Sequence, residues 1–291
     1  MTTLLDKTPG TTTYKPAPRR RPARWFILGG LLVFALLVIA PILVVMLNAF
    51  KTPADYASNG PLSIPERISF QGILDFWERV DFTRKLLNSL VTSLSVAVLG
   101  VLLSLLNAYA LGIGRVRGRL FFLVFFLVAN LLPQEVLVYP LYYLSKELYL
   151  YDSPLAIIII FSVIQSAFGT YLLSSVYDEF PRELLDAAEV DGAGRWRTLW
   201  SVVFPVSRNT LAVLFTFFFI WTWNEFFLPL IFLVSADNQT VPVALAVLQG
   251  DRLMDATTTS ASALVGILPA LLFFLIFQRT LTRGIAAGAI K

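Results

Sequence analysis

The chain has 291 residues, of which 57% are hydrophobic and only 14% charged, with a mean hydropathy of +0.73. Soluble domains carry about 25% charged residues, so the apolar excess here must face something other than water, and an integral membrane protein is expected. Cysteine and histidine are both absent, which removes thiol nucleophiles, imidazole bases, disulfides and every metal site that needs Cys or His; the net charge of +4 is concentrated in an N-terminal tail and does not call for a nucleic-acid partner.

Residues 1–24 are polar, rich in Thr and Pro, with a basic cluster at Arg19, Arg20, Arg21 and Arg24. They read as a tail. The uncharged run 25–47 is long enough to cross a bilayer core, which takes about 20 apolar residues. It is too long for a signal-peptide core and lacks a clean small-x-small cleavage site, so it is expected to be retained. The segment 48–86 is too long for a turn, and its Pro, Asp, Trp and Phe suggest a small folded element outside the membrane. Further spans are expected near 87–111, 120–144, 154–176, 211–234 and 261–280, followed by a tail, 284–291.

Basic loop residues orient the spans. Lys7, Lys15, Arg19, Arg20, Arg21, Arg24, Arg115, Arg117, Arg119, Arg182, Arg195, Arg197, Arg208, Arg279, Arg283 and Lys291 fall on one face, which is most of the 23 basic residues. That face is expected to be cytoplasmic, with both termini on it. Arg84 and Lys85 run against the rule and are expected in the long loop before the second span, where acids are as numerous.

The stretch DAAEVDGAGRWRTLWSVVFP (186–205) interrupts the greasy runs. Pro181 suits a first helical turn, and Glu183 and Asp186 put negative charge near the helix N-terminus. Leu184, Leu185 and Ala188 share one face. Gly192 and Gly194 end the helix and permit a change of direction. Trp196, Leu199, Trp200 and Val203 then form an apolar stripe flanked by Arg195 and Arg197, expected as an interfacial helix broken by Pro205 before the fifth span. Ala187 and Ala188 would let another surface approach closely. The pattern alone also fits a connecting loop that folds back on its own spans.

Polar side chains inside spans are costly and invite a functional question. Asn130, Gln134 and Glu135 lie in the expected third span, Gln165 in the fourth, and Asn224 and Glu225 in the fifth, beside Trp221 and Trp223. Amides, acids and aromatic faces suit a polyhydroxylated solute, and they equally suit hydrogen bonds between neighbouring helices. No lysine follows a glycine, so a P-loop is missing, as is a Gly-x-Ser-x-Gly elbow. An enzyme is a poor reading, and no cofactor or metal is expected.

The stretch 186–205 resembles the EAA loop of ABC-transporter permease subunits, a pattern of roughly E-A-A-x-x-D-G-A ending in an apolar-Leu-Pro. Ala187, Ala188, Asp191, Gly192, Ala193 and Pro205 match; Asp186 stands for the usual Glu, Phe204 for Leu, and Asn209 where a second Pro is common. LLPQEVLVYPLYYL, WNEFFLPLIFLVSADNQTVPVALAVLQG and GIAAGAIK are similar to the third span, the fifth span with its following loop, and the C-terminal tail of the sugar branch, pointing to its MalG-like member. The resemblance implies an all-α, type I importer permease of about six transmembrane helices in the plasma or inner membrane, spanning 25–283, with a cytoplasmic coupling loop at 179–208. It implies ATPase coupling through Asp186, Ala187, Ala188, Asp191, Gly192 and Ala193. It also implies a path for a sugar or related solute, lined by Asn130, Gln134, Glu135, Gln165, Asn224 and Glu225. The implied partners are a dimeric ABC ATPase, a second permease subunit, an extracytoplasmic solute-binding protein and membrane lipid. An ion-coupled carrier using Glu135 or Glu225 is the alternative, and a scaffolding membrane subunit a third.

Overall fold

The computed structural model describes residues 21–114, 116–249 and 255–289, with side chains placed for 25–114, 116–247 and 255–278. The expected tail up to Arg20, together with Arg115, Arg252 and Lys291, lies outside the described residues. The chain divides into two units, 1–44 and 45–291. Among the described residues all regular structure is helical.

In the first unit, α1 (Arg21–Ala49) begins and runs on to Ala49. From Trp25 to Ile42 its large apolar side chains are exposed on every side. A helix that is apolar all round is matched to lipid. Its 29 residues give about 43 Å at 1.5 Å per residue, enough to cross the hydrocarbon core.

The second unit opens with a small folded element within the segment 48–86. It holds α2 (Pro53–Asn59) and α3 (Gln71–Arg79). Pro53 starts α2, and the Thr52 hydroxyl caps it by accepting from the Asp55 N–H at 3.2 Å. Lys51 is fully buried, and its ammonium donates to Asn48 Oδ1 (3.1 Å) and the Gly60 carbonyl (2.8 Å). Asp55 accepts from Asn59 Nδ2 at 2.8 Å and from the Glu66 N–H at 3.1 Å, which closes the loop between the two helices.

α4 (Phe82–Ala108) follows and runs into a π-turn, Tyr109–Ile113. Arg84 and Lys85 therefore stand in the first turn of this helix and not in the preceding loop. Both reach a neighbouring loop: Arg84 pairs with Asp237 at 3.2 Å and the Lys85 ammonium donates to the Ala236 carbonyl. These contacts explain why two cations are tolerated so near a span.

The expected third span is not one helix. α5 (Arg119–Leu131) and α6 (Gln134–Glu147) meet at 98°. Leu132 is extended (φ −70°, ψ 125°) because the ring of the following residue, Pro133, disfavours helical geometry before it and supplies no N–H. At 13 and 14 residues, each half is about 20 Å long, too short to cross the core alone. Among the described residues, five helices are long and apolar enough to cross a membrane, or six if the bent pair is counted as one span.

α7 (Pro154–Asp178) matches its expected range closely, capped by Ser153, whose hydroxyl accepts from the Leu155 N–H at 3.3 Å. After α8 (Arg182–Val190), α9 (Arg195–Thr198) passes through a second π-turn, Leu199–Val203, into α10 (Phe204–Asn224). Pro205 thus does not break the chain: Arg195–Asn224 is one continuous helical span. The Phe204 N–H bonds back to the Leu199 carbonyl, five residues earlier, and this wider turn takes up the proline that an α-turn would not accept. The expected interfacial helix is the beginning of the fifth span itself. That span ends sooner than expected, at Glu225 (ψ 129°), followed by the short α11 (Phe227–Phe232).

A 3-10 turn (Ala236–Asn238) and α12 (Val241–Gln249) lead to α13 (Ala256–Ala289). The boundary expected at 284 falls inside that last helix.

α4, α7 and α10 form the centre. Ala97, Leu105, Leu173, Leu214, Phe218 and Phe219 are buried among them. Small residues allow the close approach. A Cβ on Gly100 would come within 3.0 Å of the Phe218 ring, so α10 packs flat on α4 at that level.

Candidate functional site

Two groups of residues lie at different places on this core. The first is the elbow formed by α8, the turn after it and α9. Pro181 is the N-cap of α8 (φ −58°, ψ 115°), one position earlier than expected, and Glu183 occupies the first turn. At the other end the Gly192 N–H donates to the Glu189 carbonyl (2.9 Å) and the Ala193 N–H to the Ala188 carbonyl (2.9 Å). Gly192 has φ +70°. This pair of bonds around a left-handed glycine is a Schellman motif. It gives the Ala-x-x-Asp-Gly-Ala order a direct physical meaning. Gly192 takes the conformation that other residues resist, and Ala188 and Ala193 bring their backbones together.

The elbow's faces separate cleanly. Ala188 is buried and Leu185 packs on the α4–α7–α10 core. Asp186, Ala187, Asp191 and Gly192 are exposed, and Ala193 is half-buried. Ala187 and Ala188 thus point to different sides, and only Ala187 is open to another surface. Val190 at 89% exposure and Trp196 at 65% add apolar area beside the acids. Val190 had no sequence signal beyond its place before Asp191. Beyond the turn, Leu199 and Val203 are buried in the core next to Tyr177 and Phe180.

Further bonds hold the elbow end together. Arg119 forms an ion pair with Asp178 through both carboxylate oxygens. The Tyr109 hydroxyl donates to the Arg195 carbonyl at 2.9 Å. A polar cleft of about 390 Å³ between α8 and the start of α5 is lined by Gly112, Arg119, Asp178, Arg182, Asp186 and Glu189. Arg119, Arg182, Arg195 and Arg197 therefore share one end of the bundle, as their loop positions predict. Arg84, Asp152 and Asp237 belong to the other end, where the Ser235 N–H donates to Asp152 Oδ1 at 3.0 Å and Asn88 Nδ2 to the Asp237 carbonyl at 2.7 Å.

The second group surrounds a cleft of about 380 Å³ between α5, α6, α7 and α10. Asn130, Gln134, Gln165, Asn224 and Glu225 all line it, with the half-open ring of Trp221. Five of the six residues singled out by their polarity thus meet in one place, although they come from four helices and the break after α10. Glu135 does not: it is exposed in the first turn of α6 and is not among the cleft's lining residues. The turn at Pro133 resets which face of the helix looks inward, so neighbouring positions separate.

The hydrogen bonds give these residues different parts. Gln165 is buried and its Nε2 donates to Thr222 Oγ1 across α7 and α10 at 2.9 Å, an interhelical contact. Asn130 Nδ2 donates to the Phe126 carbonyl (2.9 Å) and Asn224 Nδ2 to the Ile220 carbonyl (2.7 Å), each within its own helix. Glu225 Oε1 accepts from the Phe227 N–H at 3.2 Å, covering the break between α10 and α11. Both chain breaks, at Leu132–Pro133 and at Glu225, border this cleft.

Residues 99–286 match the family model described as the binding-protein-dependent transport system inner membrane component. The chain is 29% identical over 267 residues to the inner membrane ABC transporter permease protein YcjP of Escherichia coli (strain K12), covering 90% of this chain and 94% of that protein. It is 30% identical over 275 residues to the trehalose transport system permease protein SugB of Mycobacterium tuberculosis (strain CDC 1551 / Oshkosh), covering 94% of this chain and 98% of that one. The fold is similar to a chain from a crystal structure of a bacterial ABC transporter involved in the import of the acidic polysaccharide alginate. That match has a TM-score of 0.79 at 20% identity and covers 91% of this chain and 99% of the other. With up to six apolar spans among the described residues, this chain belongs to the family of binding-protein-dependent inner-membrane transport components, as a permease subunit of the MalG-like carbohydrate branch of ABC importers.

Proposed function

We propose that this subunit forms half of a translocation path for a sugar or related polyhydroxylated solute, and that a separate dimeric ATPase drives it through the α8–α9 elbow. Residues 25–283 act as the permease domain, with the Arg-rich end and both termini in the cytoplasm of a cell with an inner or plasma membrane. A second permease subunit completes the path, and an extracytoplasmic solute-binding protein delivers the solute to the opposite end. The solute class is carried over from relatives such as the trehalose transport system permease.

The observation that carries the coupling assignment is the division of the elbow. Asp186, Ala187, Asp191 and Val190 face outward, while Leu185, Leu199 and Val203 are fixed in the core shared by α4, α7 and α10. A push on the outer face is therefore delivered to the spans and not lost in a loose loop. The cleft bordered by Asn130, Gln134, Asn224, Glu225 and Trp221 offers amide groups and an aromatic face, which suit sugar hydroxyls and ring C–H groups. The ion-coupled alternative has no comparable support: the family is that of binding-protein-dependent systems, Glu135 stands outside the cleft, and Glu225, which lines it, accepts the Phe227 N–H at the end of α10.

The test is reconstitution with the cognate ATPase, partner permease and receptor. Gly192→Pro removes the N–H that bonds to Glu189 and forbids the left-handed turn. Asp186→Lys reverses an exposed charge on the docking face. Both variants insert normally and lose ATPase association or coupled transport. Wild-type coupling in both would overturn the assignment.

A further inference from the structure

The geometry points to Tyr109 as a positioning residue that ties the elbow's exit to the second span, so that a displacement of α8 reaches α4 as well as α10. This rests on the coupling role proposed above for the elbow. Tyr109 closes α4 and opens the π-turn Tyr109–Ile113. Its hydroxyl crosses 86 residues of sequence to the carbonyl of Arg195, the first residue of α9. That carbonyl also accepts the Leu199 N–H, so one oxygen serves both the helix it belongs to and the neighbouring span, using its two lone pairs.

The surroundings make this bond a joint between two loosely wound turns. On one side is the π-turn Tyr109–Ile113 and on the other the π-turn Leu199–Val203. A π-turn carries an extra residue per turn and is common at functional sites. Left to itself, the second π-turn could absorb movement of α9 before it reached α10. The first π-turn is held flat on α7, because Gly112 leaves no room: a Cβ there would lie 2.8 Å from the Tyr177 Cβ. The Tyr109 ring packs against the same core cluster that holds Leu199, Val203 and Tyr177. The hydroxyl is thus the polar link between a surface that moves and a three-helix core that must move with it.

Tyr109→Phe keeps the ring and removes the link. In the reconstituted full complex, the variant assembles with the ATPase, melts within about 4 °C of wild type and hydrolyses ATP, while solute transported per ATP falls about threefold to tenfold, the range that one hydrogen bond of this kind controls. Tyr109→Ala also removes packing and lowers the melting temperature. Wild-type transport per ATP in Tyr109→Phe, with Gly192→Pro still uncoupled, overturns the role of Tyr109 alone. Loss of transport only in step with loss of assembly or of melting temperature also overturns it, because the residue is then merely structural. If the wild-type chain never engages the ATPase, or Gly192→Pro and Asp186→Lys are both neutral, the elbow reading and this inference fall together.

Discussion

Gly169 of α7 lies directly against Ser104 of α4: a Cβ added at Gly169 would overlap the Ser104 hydroxyl and come within 3.0 Å of the Phe218 ring. Ser104 cannot turn aside freely, because its hydroxyl already donates to the Gly100 carbonyl at 2.6 Å. Gly169→Ala therefore pushes apart the three helices that form the centre. The expected cost is about 1–3 kcal/mol, the usual range for overpacking a filled core. Thermal unfolding in detergent checks it, with Gly29→Ala as the control. Gly29 has nothing within 4 Å of its would-be Cβ, so that change is neutral or slightly stabilising.

Asp152 holds the far end of the bundle, and its protonation should loosen it. Burial pushes its carboxyl up, but hydrogen bonds from the Ser235 hydroxyl and N–H outweigh that and hold it below its ordinary value of 3.8. A carboxylate depressed in the folded state contributes stability that is fully present above its unfolded value and is lost as pH falls through the folded one. Stability should be insensitive to this group from neutral pH down to about 4.5 and should decline below about 3.8. Asp152→Asn should flatten that acid limb. An unchanged acid profile in the variant, followed by tryptophan fluorescence, would count against the clamp.

Two prolines, Pro133 and Pro205, show where sequence reading stops. Long uncharged runs reveal spans because the bilayer thickness sets their length, and α7 and the elbow were legible within a few residues. Gly192 was legible because a left-handed turn has few other occupants. Pro133 and Pro205 look alike in sequence and act oppositely. Pro133 follows a residue driven to extended geometry and turns the chain by 98°, while Pro205 is accommodated by a π-turn and the helix continues. The difference lies in the local backbone: an extended Leu132 precedes Pro133, whereas the Phe204 N–H bonds to the Leu199 carbonyl in a π-turn before Pro205. Glu135 stands outside the cleft because the bend decides which side of α6 faces it. The gathering of Asn130, Gln165 and Asn224 depends on packing between α5, α7 and α10, and polarity marked these residues without saying that they meet.

The absence of cysteine makes the chain a clean background for testing sidedness. Val190→Cys and Asp237→Cys place single thiols on exposed positions at opposite ends of the bundle. In sealed inside-out vesicles a membrane-impermeant maleimide should label the cysteine at 190 and leave that at 237 unlabelled. In intact spheroplasts the pattern should reverse. The opposite assignment would place the elbow where no ATPase can reach it, and the coupling proposal would fail.

Gln165 and Asn224 line the same cleft, yet they should respond differently to substitution. Gln165 is buried and bonded to Thr222 across two helices, so Gln165→Leu removes an interhelical hydrogen bond and leaves Thr222 Oγ1 without that donor. Such bonds are worth about 0.6 kcal/mol on average and up to about 1.7 in membrane interiors. A double-mutant cycle of Gln165→Leu with Thr222→Val should recover a coupling energy of that order in unfolding measurements. Asn224 is exposed at the end of α10, and its described hydrogen bond is to a carbonyl of its own helix. Asn224→Ala should leave stability within about 0.5 kcal/mol of wild type, as exposed substitutions usually do. Its effect should fall on solute flux instead, with receptor binding unchanged because the receptor is a separate protein. If Asn224→Ala lowers stability as Gln165→Leu does and leaves flux per assembled complex intact, the cleft's polar groups serve packing and not passage.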